Sequence, residues 1–377
     1  MSFRIGATAL LLSAVGSTAI AGGLERSILS VAPLFEDGRY LEFSGSFVLP
    51  SLSGDGGTIP PAFGGPLPIS GNTGNLLENY FTIGAAYKAD FNDRLSYALI
   101  LNQPLGASTE YGTGTSINPL DAQNVYGGSS ASLTSFALTG LLSFDVTDRF
   151  KIYGGPVVEL LEADASISFL SDYSVVADSS TGFGFVAGAA YSVPDIALRV
   201  GLTYRSTIEH ELDTAESSLA LGAANTQTDI ETPQSLTLDF QTGIATDTLL
   251  FGQVHWVDWS EFTISPPNYL LLTGGRPLVD YEDDWITYTL GVGRKFSEHW
   301  SGAISVTYEP QTSTELTSLG PVDGRYGVNL GATYENDSYK LSGGVNYTVL
   351  GNARNVLETD FDGGDAFGLG FRIGFKL

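Results

Sequence analysis

The chain of 377 residues carries 42 acidic against 17 basic side chains, a formal charge of −25, and no cysteine. That balance excludes a nucleic-acid partner, which needs a basic footprint, and removes disulfides and thiolate metal sites as sources of stability. No stretch approaches the roughly 20 unbroken apolar residues of a spanning helix, while 46 glycines and few charges suit a sheet with crowded, small-residue faces.

The first residues, MSFRIGATALLLSAVGSTAIAGG, have a basic Arg4, an apolar run from Ala7 to Val15 and an Ala19-Ile20-Ala21 cleavage pattern. They read as a secretory signal peptide over 1–21. The next segment, 22–39, contains Ile28, Val31, Ala32 and Phe35 at helical spacing, with Pro33 interrupting the helix. Lying outside the strand pattern that follows, it is expected to fold into a lumen as a short hatch, with Ile28, Val31 and Phe35 as its apolar contacts.

From Tyr40 onward the pattern is one of period 2. The last segment, FGLGFRIGFKL, places Phe367, Leu369, Phe371, Ile373, Phe375 and Leu377 on one face and Gly368, Gly370, Arg372, Gly374 and Lys376 on the other. Fourteen such segments are legible, near 40–48, 80–91, 95–103, 132–144, 150–162, 182–192, 197–208, 234–245, 249–259, 285–296, 301–309, 325–334, 339–349 and 366–377. Each is close to the 9–11 residues a tilted strand needs to cross a bilayer. Short turns such as Asn92-Asp93-Arg94 and Thr246-Asp247-Thr248 alternate with long connections such as 49–79, 104–131, 209–233 and 260–284. An even strand count with one short-turn end and one long-loop end describes an all-β fold, a 14-stranded antiparallel transmembrane β-barrel over 40–377 in a Gram-negative outer membrane. A closed barrel satisfies every strand amide without water, so the greasy face can meet lipid. Aromatics near strand ends, among them Tyr40, Phe91, Phe150, Trp256, Trp259, Tyr308, Tyr334 and Phe375, are expected to form the interfacial girdles.

Chemistry is sparse. The three histidines, His210, His255 and His299, have no metal-ligand spacing, and no G-x-S-x-G elbow is present. No metal, no cofactor and no enzymatic activity are expected. On the lumen side, the phase of the strands turns Lys88, Asp90, Arg199, Arg205, Asp239, Arg325, Lys340 and Arg372 inward. Phe251, Val257 and Trp259 share an inward face with His255, and Ile100 and Leu141 also face the lumen. Apolar lumen walls do not suit an ion-conducting pore; they suit either an apolar ligand or a plug packed on them. In ALILNQPLGAS the run Asn102-Gln103-Pro104 and Gly106 interrupts the third strand, because proline cannot donate to the ladder.

The segments ALRVGLTYRSTIEHEL (197–212), TPQSLTLDFQTGIATDTLLFGQVHWVDWSEF (232–262), DDWITYTLGVGRKFSEHWSGAISVTYEP (283–310) and GRYGVNLGATYENDSYKLSGGVNYTVLG (324–351), in that order, resemble the FadL/TodX-type outer-membrane transporters of long-chain fatty acids and hydrocarbons. The resemblance implies a monomer with an N-terminal hatch that takes up hydrophobic small molecules and releases them sideways into membrane lipid. Its partners would be that ligand, outer-membrane lipids and lipopolysaccharide. The opening would lie at a kinked strand, here Asn102, Gln103, Pro104 and Gly106. Two departures stand out. The hatch region reads VAPLFE where the family carries Asn-Pro-Ala, and the fifth strand reads VELLEADA where fatty-acid-binding members carry basic residues. Glu159, Glu162 and Asp164 would repel a carboxylate, which favours an uncharged cargo or a head group met by Arg199 or Arg205. The remaining expectations are a general diffusion porin with an aqueous channel and a structural barrel working through its loops.

Overall fold

The computed structural model describes residues 24–61, 65–114, 116–312 and 316–377. The expected signal peptide and the first two residues of the expected hatch lie outside the described residues.

Fourteen staves form the wall. They are β1 (Tyr40–Asp55), β2 (Tyr80–Asp90), β3 (Leu95–Asn102, resuming as Gly106–Glu110), β4 (Ser130–Thr147), β5 (Phe150–Ile167), β6 (Ser180–Val193) and β7 (Leu198–Arg205, resuming as Ile208–Ser218). The second half comprises β8 (Gly222–Thr232, resuming as Ser235–Ala245), β9 (Thr248–Val257), β10 (Trp285–Lys295), β11 (Trp300–Glu309), β12 (Arg325–Glu335), β13 (Tyr339–Leu350) and β14 (Asp360–Lys376). Each pairs antiparallel with its neighbours in chain order. The sheet closes where Tyr40 of β1 stands opposite Lys88 of β2 on one side and Lys376 of β14 on the other.

The outward face carries large apolar side chains held open to the surroundings: Phe81 at 52%, Leu142 at 57%, Phe183 at 72% and Phe371 at 53% exposure. A water-soluble protein does not present so continuous an apolar belt, whereas a barrel in hydrocarbon requires it. Tyr288, Tyr308 and Tyr326 stand side by side on three adjacent staves, and the Tyr308 and Tyr326 rings lie 5.1 Å apart. Phe91, Phe296 and Trp300 ring the short-turn end and are exposed. Two expected girdle members are elsewhere: Tyr40 and Trp259 are buried inside at 1% exposure. Tyr40 shares the lumen phase of Glu42, to which its hydroxyl donates, and Trp259 sits in a 3-10 turn beyond β9 that folds over the mouth.

Several staves run past the bilayer span. The segment 209–233, expected as a loop, is a hairpin in which Ile208–Ser218 pairs with Gly222–Thr232. Its outer face is acidic, with Glu209, Glu211, Asp213, Asp229 and Glu231 in water, while Ile208, His210, Leu212 and Ile230 are buried. Above the membrane the same alternation persists because the inner face still has a core to cover. The loops add two short helices, α1 (Ala122–Tyr126) and α2 (Pro267–Thr273). One loop cluster joins Leu52, Leu76, Tyr111, Tyr126, Leu357 and Phe361, and the rings of Trp259, Phe262, Tyr281 and Trp285 form another. Together they fold inward over the long-loop end.

Candidate functional site: an apolar route beside a broken ladder

The ladder between β2 and β3 runs from Asp90 opposite Ser96 to Ala85 opposite Leu101 and stops there. It resumes only beyond β2, where the Glu78 amide donates to the Ser108 carbonyl at 3.2 Å and Leu77 bridges Thr109. Between these points Pro104 has no N–H to offer. The Gln103 side chain partly replaces the ladder, its Oε1 accepting the Ile83 amide at 2.9 Å.

The N-terminal segment takes the place left on the inside. Gly106 donates to the Leu24 carbonyl at 2.7 Å, Pro104 accepts the Arg26 amide at 2.7 Å, and Glu25 bridges Leu105. The Ser27 hydroxyl donates to the Gln103 carbonyl at 2.6 Å and accepts from Asn102 at 3.0 Å. All four residues of the expected kink, Asn102, Gln103, Pro104 and Gly106, therefore lie at one junction. The expected helical face over Ile28 to Phe35 is not formed. The chain has no regular structure from Ser27 to Ser30 and makes only a 3-10 turn, Ala32–Phe35, with Pro33 in its first positions, where a missing N–H costs nothing.

Further down, Val31 and Leu34 are buried against Ile100, Leu141, Tyr153 and Val157, with Phe35 packed beside them. Thus Ile100 and Leu141, two of the expected ligand contacts, meet this segment. Charges fasten its base. Lys88 donates to the Glu36 and Gly38 carbonyls at 2.8 and 3.1 Å, Lys340 pairs with Glu36 at 2.7 Å, and Arg199 lies 4.2 Å from the centre of the Phe35 ring. Beneath the segment is a mixed cavity of about 270 Å³ that combines apolar side chains such as Ile28, Ile100 and Phe251 with Arg199, Asp239, Gln253 and Arg372.

Above it lies a layer of buried ions. Arg205 bonds Glu159 at 2.7 Å, with Glu159 wholly buried and His210 at 3.9 Å. His255 stands 2.9 Å from Glu25 and 2.8 Å from the Thr237 hydroxyl, and Arg325 lies 3.3 Å from Glu309. The Arg205 and Arg325 guanidiniums are each matched by a carboxylate, which offsets their desolvation.

One step further along the same staves the lumen becomes apolar. Leu133, Ala163, Ala165, Leu212 and Ile230, with Leu24 of the N-terminal segment, line a small pocket of about 50 Å³ closed from above by Ile264, Leu278 and Leu319. No arginine, lysine or histidine is among its lining residues. A vestibule of about 320 Å³ at the long-loop end shares Leu278, Thr317 and Leu319 with it. Burial pushes the phenols of Tyr111, Tyr126 and Tyr269 in that vestibule up, Tyr269 to about 12, so they are neutral at physiological pH. On the other side the pocket shares Leu24, Ala107 and Leu319 with a crevice of about 30 Å³ that reaches Arg26, Tyr80 and Gly106 behind the broken ladder.

Val257 and Trp259 belong to the apolar cluster around this pocket without lining it. The sequence reading missed the pocket wall itself. Alternation through the hairpin does put Leu212 and Ile230 on the inner face, but nothing local marks the loop residues Ile264, Leu278 and Leu319 as its roof. Among the described residues no group of His, Asp and Glu side chains is arranged to hold a metal ion.

Residues 70–366 match the family described as outer membrane protein transport protein (OMPP1/FadL/TodX). Among solved structures, a FadL homologue of Pseudomonas aeruginosa superposes with a TM-score of 0.74 at 15% identity, covering 96% of this chain and 95% of its own. The toluene transporter TodX of Pseudomonas putida gives 0.62 at 12% identity and 96% coverage of both chains. The toluene transporter TbuX of Ralstonia pickettii gives 0.61 at 12%, covering 92% of this chain and 91% of that one. At these identities the likeness is one of fold.

Proposed function

Since the chain belongs to the FadL/TodX family of outer-membrane transport proteins, channels rather than enzymes, we propose that it carries small hydrophobic molecules passively into the Gram-negative outer membrane. Cargo collects in the vestibule, moves into the apolar pocket, and leaves sideways between β2 and β3 into lipid. A single chain, closing its own barrel, does this as a monomer. The observation that carries the reading is continuity: vestibule, pocket and crevice share lining residues in sequence, and the last one ends at the interrupted ladder. The larger mixed cavity shares no lining residue with the apolar pocket and lies beyond the charged layer. Transfer needs no covalent chemistry, because burying each methylene is favourable by about 0.8 kcal/mol.

The named solved relatives include toluene transporters, which supports an apolar cargo for this chain as well. The test is reconstitution into lipid vesicles. Accelerated exchange of a dissolved hydrocarbon, with no sugar permeation and low steady conductance, is the expected result. Free sugar passage would instead identify a general diffusion porin.

A further inference from the structure

The interrupted ladder leaves a gap in the β2–β3 hydrogen bonding of a wall that faces hydrocarbon, and one side chain spans it. Arg26 comes from the N-terminal segment. Its Nε–H donates to the Gly106 carbonyl of β3 at 2.7 Å, and its guanidinium carbon lies 3.4 Å from the centre of the Tyr80 ring of β2. Tyr80 has the inward phase of β2, while Phe81 and Ile83 beside it point to lipid at 52% and 45% exposure. One cation thus touches both lips of the break from within. It supplies Gly106 with a donor that the ladder does not, and stacks its flat face on the aromatic ring of the opposite lip. Gly106 is shaped to this contact, since a Cβ there would stand 2.8 Å from the Arg26 Cγ and 2.9 Å from Nε.

We propose that Arg26 is a latch on the side of the barrel, holding the β2–β3 opening shut until its guanidinium withdraws from Tyr80 and Gly106. This rests on the sideways route proposed above and adds to it the residue that sets how often the route opens. Lysine would not serve equally, because a compact ammonium cannot both stack on Tyr80 and bond Gly106 in one plane.

The chain has no cysteine, so Ala107→Cys provides a lone reporter behind the opening, in the lining shared by pocket and crevice. The full-length barrel carrying it is reconstituted in vesicles with a maleimide attached to a phospholipid acyl chain, which reaches the reporter only through the wall. Adding Arg26→Ala should speed labelling about tenfold, equal to about 1.4 kcal/mol. Arg26→Lys should fall between, and Gly106→Ala, which crowds the latch without removing its charge, should also speed it. A water-soluble maleimide arriving through the mouth should react at one rate throughout. Unchanged lipid-borne labelling in both Arg26→Ala and Gly106→Ala would overturn the latch. Absence of hydrocarbon exchange in the unmodified barrel would overturn the sideways route itself, a separate failure. Heat-modified gel mobility verifies folding, and the two variants on opposite sides of the contact keep the test decisive if one does not assemble.

Discussion

Arg205 of β7 bonds Glu159 of β5 at 2.7 Å inside the barrel, and the carboxylate has no exposure at all. The pair stands under the apolar pocket, in the layer that separates it from the larger mixed cavity. Removing only the cation strands a buried charge, which costs about 3–5 kcal/mol. Arg205→Met should therefore lower the unfolding temperature of the detergent-solubilised barrel markedly. The double variant Arg205→Met with Glu159→Met should recover most of that loss. A double variant as unstable as the single one would show that the pair does more than neutralise itself.

Glu25 holds the N-terminal segment to β9 through His255, between the Leu24 carbonyl that accepts the Gly106 amide and the Arg26 amide that donates to the Pro104 carbonyl. Losing a hydrogen bond to a charged group costs about 1.5–3 kcal/mol. Glu25→Ala should raise hydrogen exchange at the Arg26 and Gly106 amides by about ten- to a hundredfold while leaving mid-stave amides unchanged. Protection equal to that of the parent would remove His255 as a tether.

The pocket wall is built from small residues where Ala163 and Ala165 face Leu212 and Ile230. Ala165→Phe places a ring in the space assigned to cargo. Hydrocarbon exchange should fall at least about tenfold, against an overpacking cost of about 1–3 kcal/mol in stability. Undiminished exchange in a folded variant would move the route elsewhere.

On the outside, Leu369 of β14 is 45% exposed within the apolar belt. Leu369→Arg should cost about 2–4 kcal/mol if that position lies near the bilayer midplane, measured as a shift in the urea midpoint of folding into vesicles. A surface-like cost near zero would place Leu369 at the interface.

The wall was legible because alternation reports a local fact. Phe367, Leu369 and Phe371 announce a strand with one solvent on each side, whatever the rest of the chain does. The same reading placed Arg199, Arg205, Arg325, Lys340 and Arg372 inward, where each meets a partner. It stopped short at the hairpin beyond Arg205, where length and a Ser-, Thr- and Asp-rich composition suggest a loop. Ser206 and Thr207 interrupt β7, and Pro233 and Gln234 interrupt β8. Across the break the inward set shifts from odd positions, Thr203 and Arg205, to even ones, Ile208, His210 and Leu212, a one-residue slip that strict alternation does not follow.

By itself the sequence determined the staves, their order, the lipid face and the place where proline breaks β3, since each depends on neighbours one or two residues away. The tertiary structure alone decided what fills the lumen. Glu25 meets His255 across 230 residues of chain, and Leu24, Leu212 and Leu319 share one pocket. Such contacts arise only when the cylinder closes and brings distant inner faces within a side chain's reach, and no periodicity along a single strand encodes that distance.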